Sequence, residues 1–177
     1  MRTKGRRFAG AVLVMFVVVP RPAGALELSG GVNLGGFLVG TVPRLAVSPN
    51  AGLSWPIYCG FNVTVHDALN MLPPINQTRL GTYNQTTISL GYASDNGSLS
   101  AGPSLSIYSI PACGVTWCGR VAGVAPGGNA RASLYFDGPL GVSLSASVEW
   151  IGGSSRVLFG GVAATVVAGP VLRWNSK

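Results

Sequence analysis

Residues 142–174 decide the fold, and they read VSLSASVEWIGGSSRVLFGGVAATVVAGPVLRW. From 142 to 150, apolar residues at even positions alternate with serine and glutamate at odd positions. This period of two predicts a β-strand with one apolar and one polar face. After a Gly-Gly-Ser-Ser turn, the second arm carries another apolar row on one parity: Leu158, Val162, Ala164, Val166, Ala168, Leu172 and Trp174. That arm is longer than the usual strand of about five or six residues. Long alternating arms that end in an aromatic residue indicate strands that cross a lipid bilayer.

The N-terminal segment predicts export. Residues 2–7 contain four basic residues, residues 8–19 form an apolar core, and residues 23–25 read Ala-Gly-Ala. The core is too short for a spanning helix, which needs roughly 20 apolar residues, and the tripeptide matches a signal-peptidase site. We therefore expect a secretory signal peptide over residues 1–25 and a mature domain over residues 26–177; a membrane anchor is the alternative.

The net charge does not point to nucleic acid. The formal charge of +7 falls to +2 over residues 26–177, seven basic minus five acidic residues, because five basic residues belong to the signal segment. No basic cluster remains, so nucleic-acid binding is not expected. Charged residues make up only 10% of the chain, fewer than the surface of a soluble exported domain usually carries.

Eight strands can be drawn by the same parity test, at about residues 26–40, 44–55, 61–66, 82–94, 98–107, 117–137, 142–150 and 158–174. A polar stretch with a Pro-Pro pair, residues 70–84, predicts the longest loop. Residues 117–137 fit one kinked strand, or two strands separated by Ala-Pro-Gly-Gly-Asn, which would give nine. The parity continues through the glycines, and bacterial barrels have an even number of strands, so one strand is favoured.

Lipid offers no hydrogen-bond partner, so a spanning sheet must close on itself. The predicted fold class is therefore all-β, an eight-stranded antiparallel up-and-down transmembrane β-barrel. Leu144, Val148, Val162 and Val166 should then lie on the outer surface, with Ser145, Ser147 and Glu149 inside. The turns near Pro56, Asp95 and Asp137 are short, whereas the opposite end holds the candidate partner-binding loops 70–82 and 110–118. Short periplasmic turns and longer outer loops place both termini in the periplasm of a bacterium with an outer membrane.

With these features the chain resembles the small eight-stranded outer-membrane barrels of Gram-negative bacteria. The segments SPNAGLSWP, HDALNMLPPIN, APGGNA and AGPVLRW are also similar to segments of uncharacterised exported proteins of myxobacteria. The resemblance covers the whole mature chain and implies outer-membrane lipid as the surroundings of the protein.

Two groups of side chains are candidates for a role in such a barrel. Five aromatic residues share the lipid-facing parity at the predicted periplasmic end: Trp55, Phe61, Tyr92, Phe136 and Trp174. They form one predicted aromatic girdle at headgroup level, unless they are scattered there by chance. Five charged residues share the inward parity: Glu27, Arg44, Arg131, Glu149 and Arg173. They predict an ion-pair and hydrogen-bond network in the lumen; a charge-lined pore would need a wider barrel.

The three cysteines do not match a metal site. Cys113 and Cys118 flank a short loop, so in an oxidising compartment they predict a disulfide. Cys59 is left over, as a buried free thiol or an intermolecular link. With a single histidine in the chain, no metal or other cofactor is expected.

The main interpretation is a non-catalytic outer-membrane barrel with a structural role or a role as a surface-interaction scaffold. The runner-up is a soluble secreted β-sandwich that binds a partner, in which the apolar rows would be packed between two sheets. The third is a lipid-modifying barrel enzyme that uses His66 with Asp67 and a serine, although no serine lies in a nucleophile-elbow motif.

Overall fold

The computed structural model describes residues 26–39, 42–74, 80–113, 118–136, 138–152 and 161–175. They form eight strands: β1 (Glu27–Val39), β2 (Val42–Tyr58), β3 (Phe61–Leu72), β4 (Gly81–Ala93), β5 (Gly97–Cys113), β6 (Cys118–Tyr135), β7 (Leu140–Ile151) and β8 (Gly161–Asn175). Each strand pairs antiparallel with its neighbours in the sequence, and β8 pairs with β1 to close the barrel. The predicted signal peptide, most of the Gly-Gly-Ser-Ser turn and Leu158 lie outside the described residues.

The two faces of the strands alternate as the sequence predicts. Leu144 and Val148 are 51% and 57% exposed on the outer surface, and Val162 and Val166 are 46% and 56% exposed. The neighbouring Ser145, Ser147 and Glu149 are 6%, 4% and 1% exposed, so they point into the barrel. The apolar rows are therefore not packed between two sheets, and the β-sandwich interpretation is wrong.

β2, β3, β5 and β7 are longer than the sequence predicts, and the two candidate partner-binding loops are correspondingly shorter. β3 continues to Leu72 and β4 begins at Gly81, so the loop predicted over 70–82 is reduced to residues 73–80. The parity explains this difference, because Asn70 and Leu72 keep the inward positions of β3 and are 2% and 0% exposed. Likewise β5 ends at Cys113 and β6 begins at Cys118, which reduces the loop predicted over 110–118 to residues 114–117.

β6 is one strand, as the continuous parity indicates, and at 18 residues it is the longest of the eight. The shortest strands have 12 residues. At about 3.3 Å per residue and a tilt of about 40°, 12 residues rise roughly 30 Å, enough for the apolar band of an outer-membrane barrel. No helix in the described part of the chain is long and apolar enough to span a membrane.

The two ends of the barrel differ in their connections. The end at which the described chain starts and finishes also holds the connections 59–60, 94–96 and 136–139; we call it the turn end. The other end, the loop end, holds the connections 40–41, 73–80, 114–117 and 152–160. At the turn end, Cys59 and Gly60 both have positive φ, 47° and 84°, which produces the tight reversal between β2 and β3.

Candidate functional site

The loop-end half of the lumen is filled by an apolar cluster that the sequence analysis missed. Its largest members are fully or almost fully buried and come from β1, β3, β4, β5 and β7: Phe37, Leu72, Tyr83, Tyr108, Ile110 and Ile151. The rings of Phe37 and Tyr83 meet edge to face with their centroids 4.8 Å apart, and Tyr83 stacks with Tyr108 at 6.2 Å. We call these six residues the apolar plug. The sequence did contain a signal for this cluster, because large apolar residues occur at inward-facing positions near the loop end.

Gly123 on β6 makes room for the apolar plug. It lies directly opposite Tyr108 in the register of β5 and β6, and a Cβ atom on Gly123 would approach the Tyr108 hydroxyl to 2.6 Å. No real Cβ contact is that short, so the tyrosine ring occupies the space that any other residue at position 123 would need. The absence of a side chain at position 123 therefore lets the Tyr108 ring lie against the backbone of β6.

Glu149 lies at the boundary between the plug and the polar part of the lumen. Its carboxyl group accepts hydrogen bonds from the Tyr83 hydroxyl, the Gln85 amide and the Ser106 hydroxyl. The Ser104 hydroxyl also donates to it, at 3.1 Å. Glu149 belongs to β7 and its donors to β4 and β5, so the bonds tie opposite walls of the barrel together. Four neutral donors, and no arginine of the described chain, satisfy this acid; the ion-pair prediction is wrong for Glu149.

The network continues from Glu149 toward the turn end. Asn129 donates its amide hydrogens to Gln85 Oε1 at 3.2 Å and to Ser145 Oγ at 3.0 Å. Ser143 donates to Asn33 Oδ1 at 3.1 Å, which links β7 to β1. Asn and Ser side chains on the inward parity therefore fill the narrow lumen with hydrogen bonds between side chains.

Two of the predicted lumen charges lie in the turn-end half. Arg131 is 9% exposed, and its Nη1 and Nη2 atoms find no hydrogen-bond partner among the described residues. Glu27, 8% exposed, lines the same cavity of about 20 Å³, together with Tyr135. This volume can hold a water molecule, so hydration of the guanidinium is possible there.

The remaining two arginines reach backbone carbonyls. Arg173 lies over the ring of Tyr135, 3.9 Å from its centroid, and donates to the carbonyl oxygens of Ser94 and Asp95 at 3.4 Å and 2.9 Å. Arg44 is half-buried near the loop end and donates to the Pro111 carbonyl oxygen at 3.3 Å. All five charges thus lie on the inward parity. Glu27, Arg131 and Arg173 surround Tyr135 in the turn-end half, whereas Glu149 and Arg44 lie nearer the loop end.

His66 is in the middle of β3, not at its outer end, because the strand continues for six residues beyond it. It is 5% exposed inside the lumen, and its Nε2 atom lies 3.3 Å from Asn50 Oδ1. Asp67, the next residue, points to the outer surface, since neighbouring residues on a strand face opposite sides. The two residues therefore cannot act as an acid–base pair, and the proposed lipid-modifying site is not formed.

The candidate girdle residues lie in outward positions close to the turn end, and on β2 the exposed Ile57 and Tyr58 lie beyond Trp55. Trp55, Phe61, Phe136 and Trp174 are between 43% and 59% exposed. Tyr92 is half-buried and lies directly opposite Phe61, with the two rings edge to face at 5.4 Å. The five rings come from five strands, β2, β3, β4 and β8 together with the end of β6, so they are distributed around the barrel at one end.

The structure tests the prediction for one of the three cysteines. Cys59 is exposed in the turn between β2 and β3, so the interpretation as a buried thiol is wrong. Cys113 and Cys118 are directly opposite each other in the backbone register of β5 and β6, but their side chains lie outside the described part of the structure. In the described residues, no three His, Cys, Asp or Glu side chains are close enough to hold a metal ion.

Neither the scan against protein-family models nor the search of curated proteins gives a match to this chain. Solved structures match in fold. The chain is similar to Ail, the attachment invasion locus protein of Yersinia pestis, with a TM-score of 0.58 and 11% identity over 86% of this chain and 100% of that chain. It is similar to Neisserial surface protein A, with a TM-score of 0.56 and 11% identity over 85% and 99% of the two chains. The N-terminal β-barrel domain of Pseudomonas aeruginosa OprF gives a TM-score of 0.51 and 9% identity over 86% and 98%. At these identities the likeness shows the fold, which is that of the small outer-membrane barrels.

Proposed function

We propose that this chain is a non-catalytic outer-membrane β-barrel that has a structural role or presents a surface for interaction. One observation carries the proposal: a closed barrel exposes large apolar residues all around its outside, including Leu34 (58%), Leu90 (67%), Ile107 (64%) and Val148 (57%). Such a surface is stable in hydrocarbon and prone to aggregation in water. The predicted signal peptide over residues 1–25 would deliver the chain across the inner membrane.

The turn end is proposed to face the periplasm, with both termini there. Short connections are typical of the periplasmic side, and the five aromatic residues at that end fit a girdle at the headgroup level. The loop end would then face the outside of the cell. The opposed backbone positions of Cys113 and Cys118 support a disulfide across the β5–β6 loop, since the periplasm is oxidising.

A channel function is not supported by the lumen. The apolar plug fills its loop-end half, and two cavities lined by described residues in the rest have volumes of about 10 and 20 Å³, room for about one water molecule each. Catalysis is not supported either, because His66 is separated from Asp67 by the barrel wall. We therefore assign the function of this protein to its outer surface or to its loop end.

Charge favours an anionic ligand for the loop end. Arg44 and Arg120 lie near this end, and the connecting segments 73–80 and 152–160 add Arg79 and Arg156 without any acidic residue. Arg120 is exposed, where it donates to the Leu80 carbonyl and to Ser109. Ail, similar in fold, has been crystallised with the heparin analogue sucrose octasulfate. We therefore propose sulfated or phosphorylated saccharides as the class of surface ligand.

The test of the membrane proposal is expression of the full chain in a Gram-negative host, followed by fractionation and electrophoresis with and without boiling. A folded barrel should be found in the outer-membrane fraction, remain after urea extraction, and migrate differently when unboiled. Recovery in the soluble periplasmic fraction would refute the proposal. Binding of labelled heparin to whole cells, compared between the wild type and R79S/R156S, tests the ligand class; equal binding by the two would exclude it.

A further inference from the structure

Among the described residues, Asp67 is an acidic side chain on the outer surface at the depth of the membrane core. Asp67 is exposed on the outward face of β3, six residues along the strand from the girdle residue Phe61. Six residues cover about 20 Å along a strand, and a tilt of about 40° leaves roughly 15 Å of that along the barrel axis. The apolar band of an outer-membrane barrel is about 25 Å tall. Asp67 therefore lies near the middle of the hydrocarbon layer.

Two polar neighbours accompany this carboxylate. Thr86 Oγ1 donates to Asp67 Oδ1 at 2.8 Å, and Asn84 Nδ2 donates to the same oxygen at 3.4 Å. We call Asp67, Asn84 and Thr86 the polar patch. Within the described chain, no donor reaches Asp67 Oδ2 through a hydrogen bond. Lipid tails supply no donor, so an acidic side chain at this depth is unfavourable unless another molecule provides one.

The opposite side of the barrel has no comparable feature. The outward positions of β7 from 142 to 150 are Val142, Leu144, Ala146, Val148 and Trp150, all apolar and exposed. The polar patch is therefore local to β3 and β4, and it is not a general property of the lipid-facing surface. A local polar site in an apolar belt is the pattern expected for a contact with another membrane protein.

We propose that the polar patch is the centre of a dimer interface, occupied by a second copy of this chain related by a twofold axis along the membrane normal. The proposal rests on the proposed location in the outer membrane. Most homo-oligomers are closed and symmetric, and an interface of this kind uses the same surface on both copies.

The register of β3 and β4 makes the patch complementary to itself. Asp67 and Thr86 are direct cross-strand partners, so they lie side by side at nearly the same depth. A half-turn about an axis between the two strands exchanges left and right without changing depth. Asp67 of one copy then faces Thr86 of the other, and the reverse pair forms at the same time. Each carboxylate then faces a hydroxyl rather than the second carboxylate. The single hydrogen of the Thr86 hydroxyl is already donated to Asp67 of its own copy, so the added donor for Oδ2 is the second Nδ2 hydrogen of Asn84 from the other copy.

The residues beside the patch fit a close contact. Val65 and Ile88 are the next outward pair of β3 and β4 toward the turn end, and they are directly opposite each other. Val65 is half-buried and Ile88 is 58% exposed, which gives an apolar surface adjoining the polar centre. An unrelated partner would have to bring its own donor at the same depth, whereas a second copy brings one by symmetry.

Cross-linking in vesicles tests the proposal. The full chain with Cys59→Ser, Cys113→Ser and Cys118→Ser, which removes every native thiol, is combined either with Ile88→Cys beside the patch or with Leu144→Cys on β7. The two positions are similarly exposed, 58% and 51%. Each protein is inserted into phosphatidylcholine vesicles, diluted in lipid, and treated with a short bismaleimide. We expect a cross-linked dimer for Ile88→Cys and only collisional cross-linking for Leu144→Cys.

Variants of the patch then identify its chemistry. Asp67→Leu and Asn84→Leu, each in the Ile88→Cys background, should lower the association constant about tenfold or more, because a hydrogen bond between the two copies is lost in a medium that offers no replacement. Equal cross-linking at positions 88 and 144, or no effect of Asp67→Leu, would overturn the proposal. Heat-modifiable migration of the same samples is scored separately. A folded barrel that stays monomeric refutes only the dimer. A sample that does not fold in the vesicles refutes the membrane location as well.

Discussion

The two halves of the lumen obey the same alternation but are filled in different ways. In the loop-end half, the rings of Phe37, Tyr83 and Tyr108 pack against aliphatic side chains. In the turn-end half, Arg131 and His66 line cavities together with serine and asparagine residues. The parity of a strand therefore determines which side chains face inward, but it does not determine whether the inside is dry or hydrated.

The difference has consequences for stability. Apolar packing and the bonds to Glu149 connect strands across the loop-end half, so substitutions there should destabilise the barrel strongly. In the turn-end half, several buried polar atoms have no partner among the described side chains, including Arg131 Nη1, His66 Nδ1 and Asn62 Oδ1. Substitutions that replace such atoms with apolar groups should cost little. Four substitutions test this contrast.

The largest effect is expected for Phe37→Ala. Phe37 is 1% exposed in the centre of the plug, and truncation of a buried phenylalanine typically costs about 3–5 kcal/mol of unfolding free energy. Urea unfolding of the barrel in lipid vesicles, followed by tryptophan fluorescence, measures the loss. The control is Leu38→Ala, the next residue on the lipid-facing side, which should cost less. A loss for Phe37→Ala no greater than that of the control would show that the plug does not stabilise the barrel.

The apolar plug is a part of the fold that the sequence analysis does not predict. The alternation of residues 142–150 sufficed for the strands, the closed barrel and the inward position of Glu149. Phe37 and Tyr83 lie on the polar parity, yet the sequence analysis does not recognise them as a core, because it expects polar and charged side chains to fill the lumen. The shape of that core depends on the register, which brings residues distant in the chain, such as Phe37 and Tyr83, into contact.

The site predictions were limited by the same long-range geometry. The sequence pattern put Glu149 and the arginines on one parity, but it could not show that Tyr83, Gln85, Ser104 and Ser106 would satisfy Glu149 in their place. The His66–Asp67 hypothesis failed for a local reason, because adjacent residues on a strand face opposite sides. The myxobacterial resemblance, the signal peptide and the disulfide stay predictions.

The second-largest loss of unfolding free energy is expected for Glu149→Gln. The substitution keeps the size of the side chain but replaces an acceptor oxygen with an amide donor, so at least one of the four donors loses its acceptor. A buried donor left without its acceptor should lower the unfolding free energy by about 1–3 kcal/mol. The same unfolding assay measures it. Ser147→Ala is the matched control, since the Ser147 hydroxyl is buried on the same strand without a hydrogen-bond partner in the described chain. Equal losses for the two variants would show that the Glu149 network does not contribute.

A smaller effect is expected for Gly123→Ala. The added Cβ would lie 2.6 Å from the Tyr108 hydroxyl, so the ring must move within a packed cluster, at a cost of about 1–2 kcal/mol. Gly128→Ala on the same strand is the control, because the nearest atom to its Cβ is the Gly102 carbonyl oxygen at 3.7 Å. If both variants unfold at the wild-type urea concentration, the plug is looser than its contacts indicate.

The smallest effect is expected in the turn-end half, for Arg131→Met. The Nη1 and Nη2 atoms of Arg131 are buried without a hydrogen bond to any described residue. Desolvation of this charge is unfavourable and offsets its attraction to Glu27 in the same cavity, so we expect replacement with an apolar side chain of similar length to change the unfolding free energy by only roughly 0–1 kcal/mol. Arg173→Met is the contrasting variant. Arg173 stacks on Tyr135 and donates to two carbonyl oxygens, so its loss should destabilise the barrel by about 1–2 kcal/mol. Both variants are compared by urea unfolding in vesicles. Strong destabilisation by Arg131→Met would mean that hydration of the cavity binds this arginine as firmly as protein groups bind Arg173, and the two halves of the lumen would then contribute to stability alike.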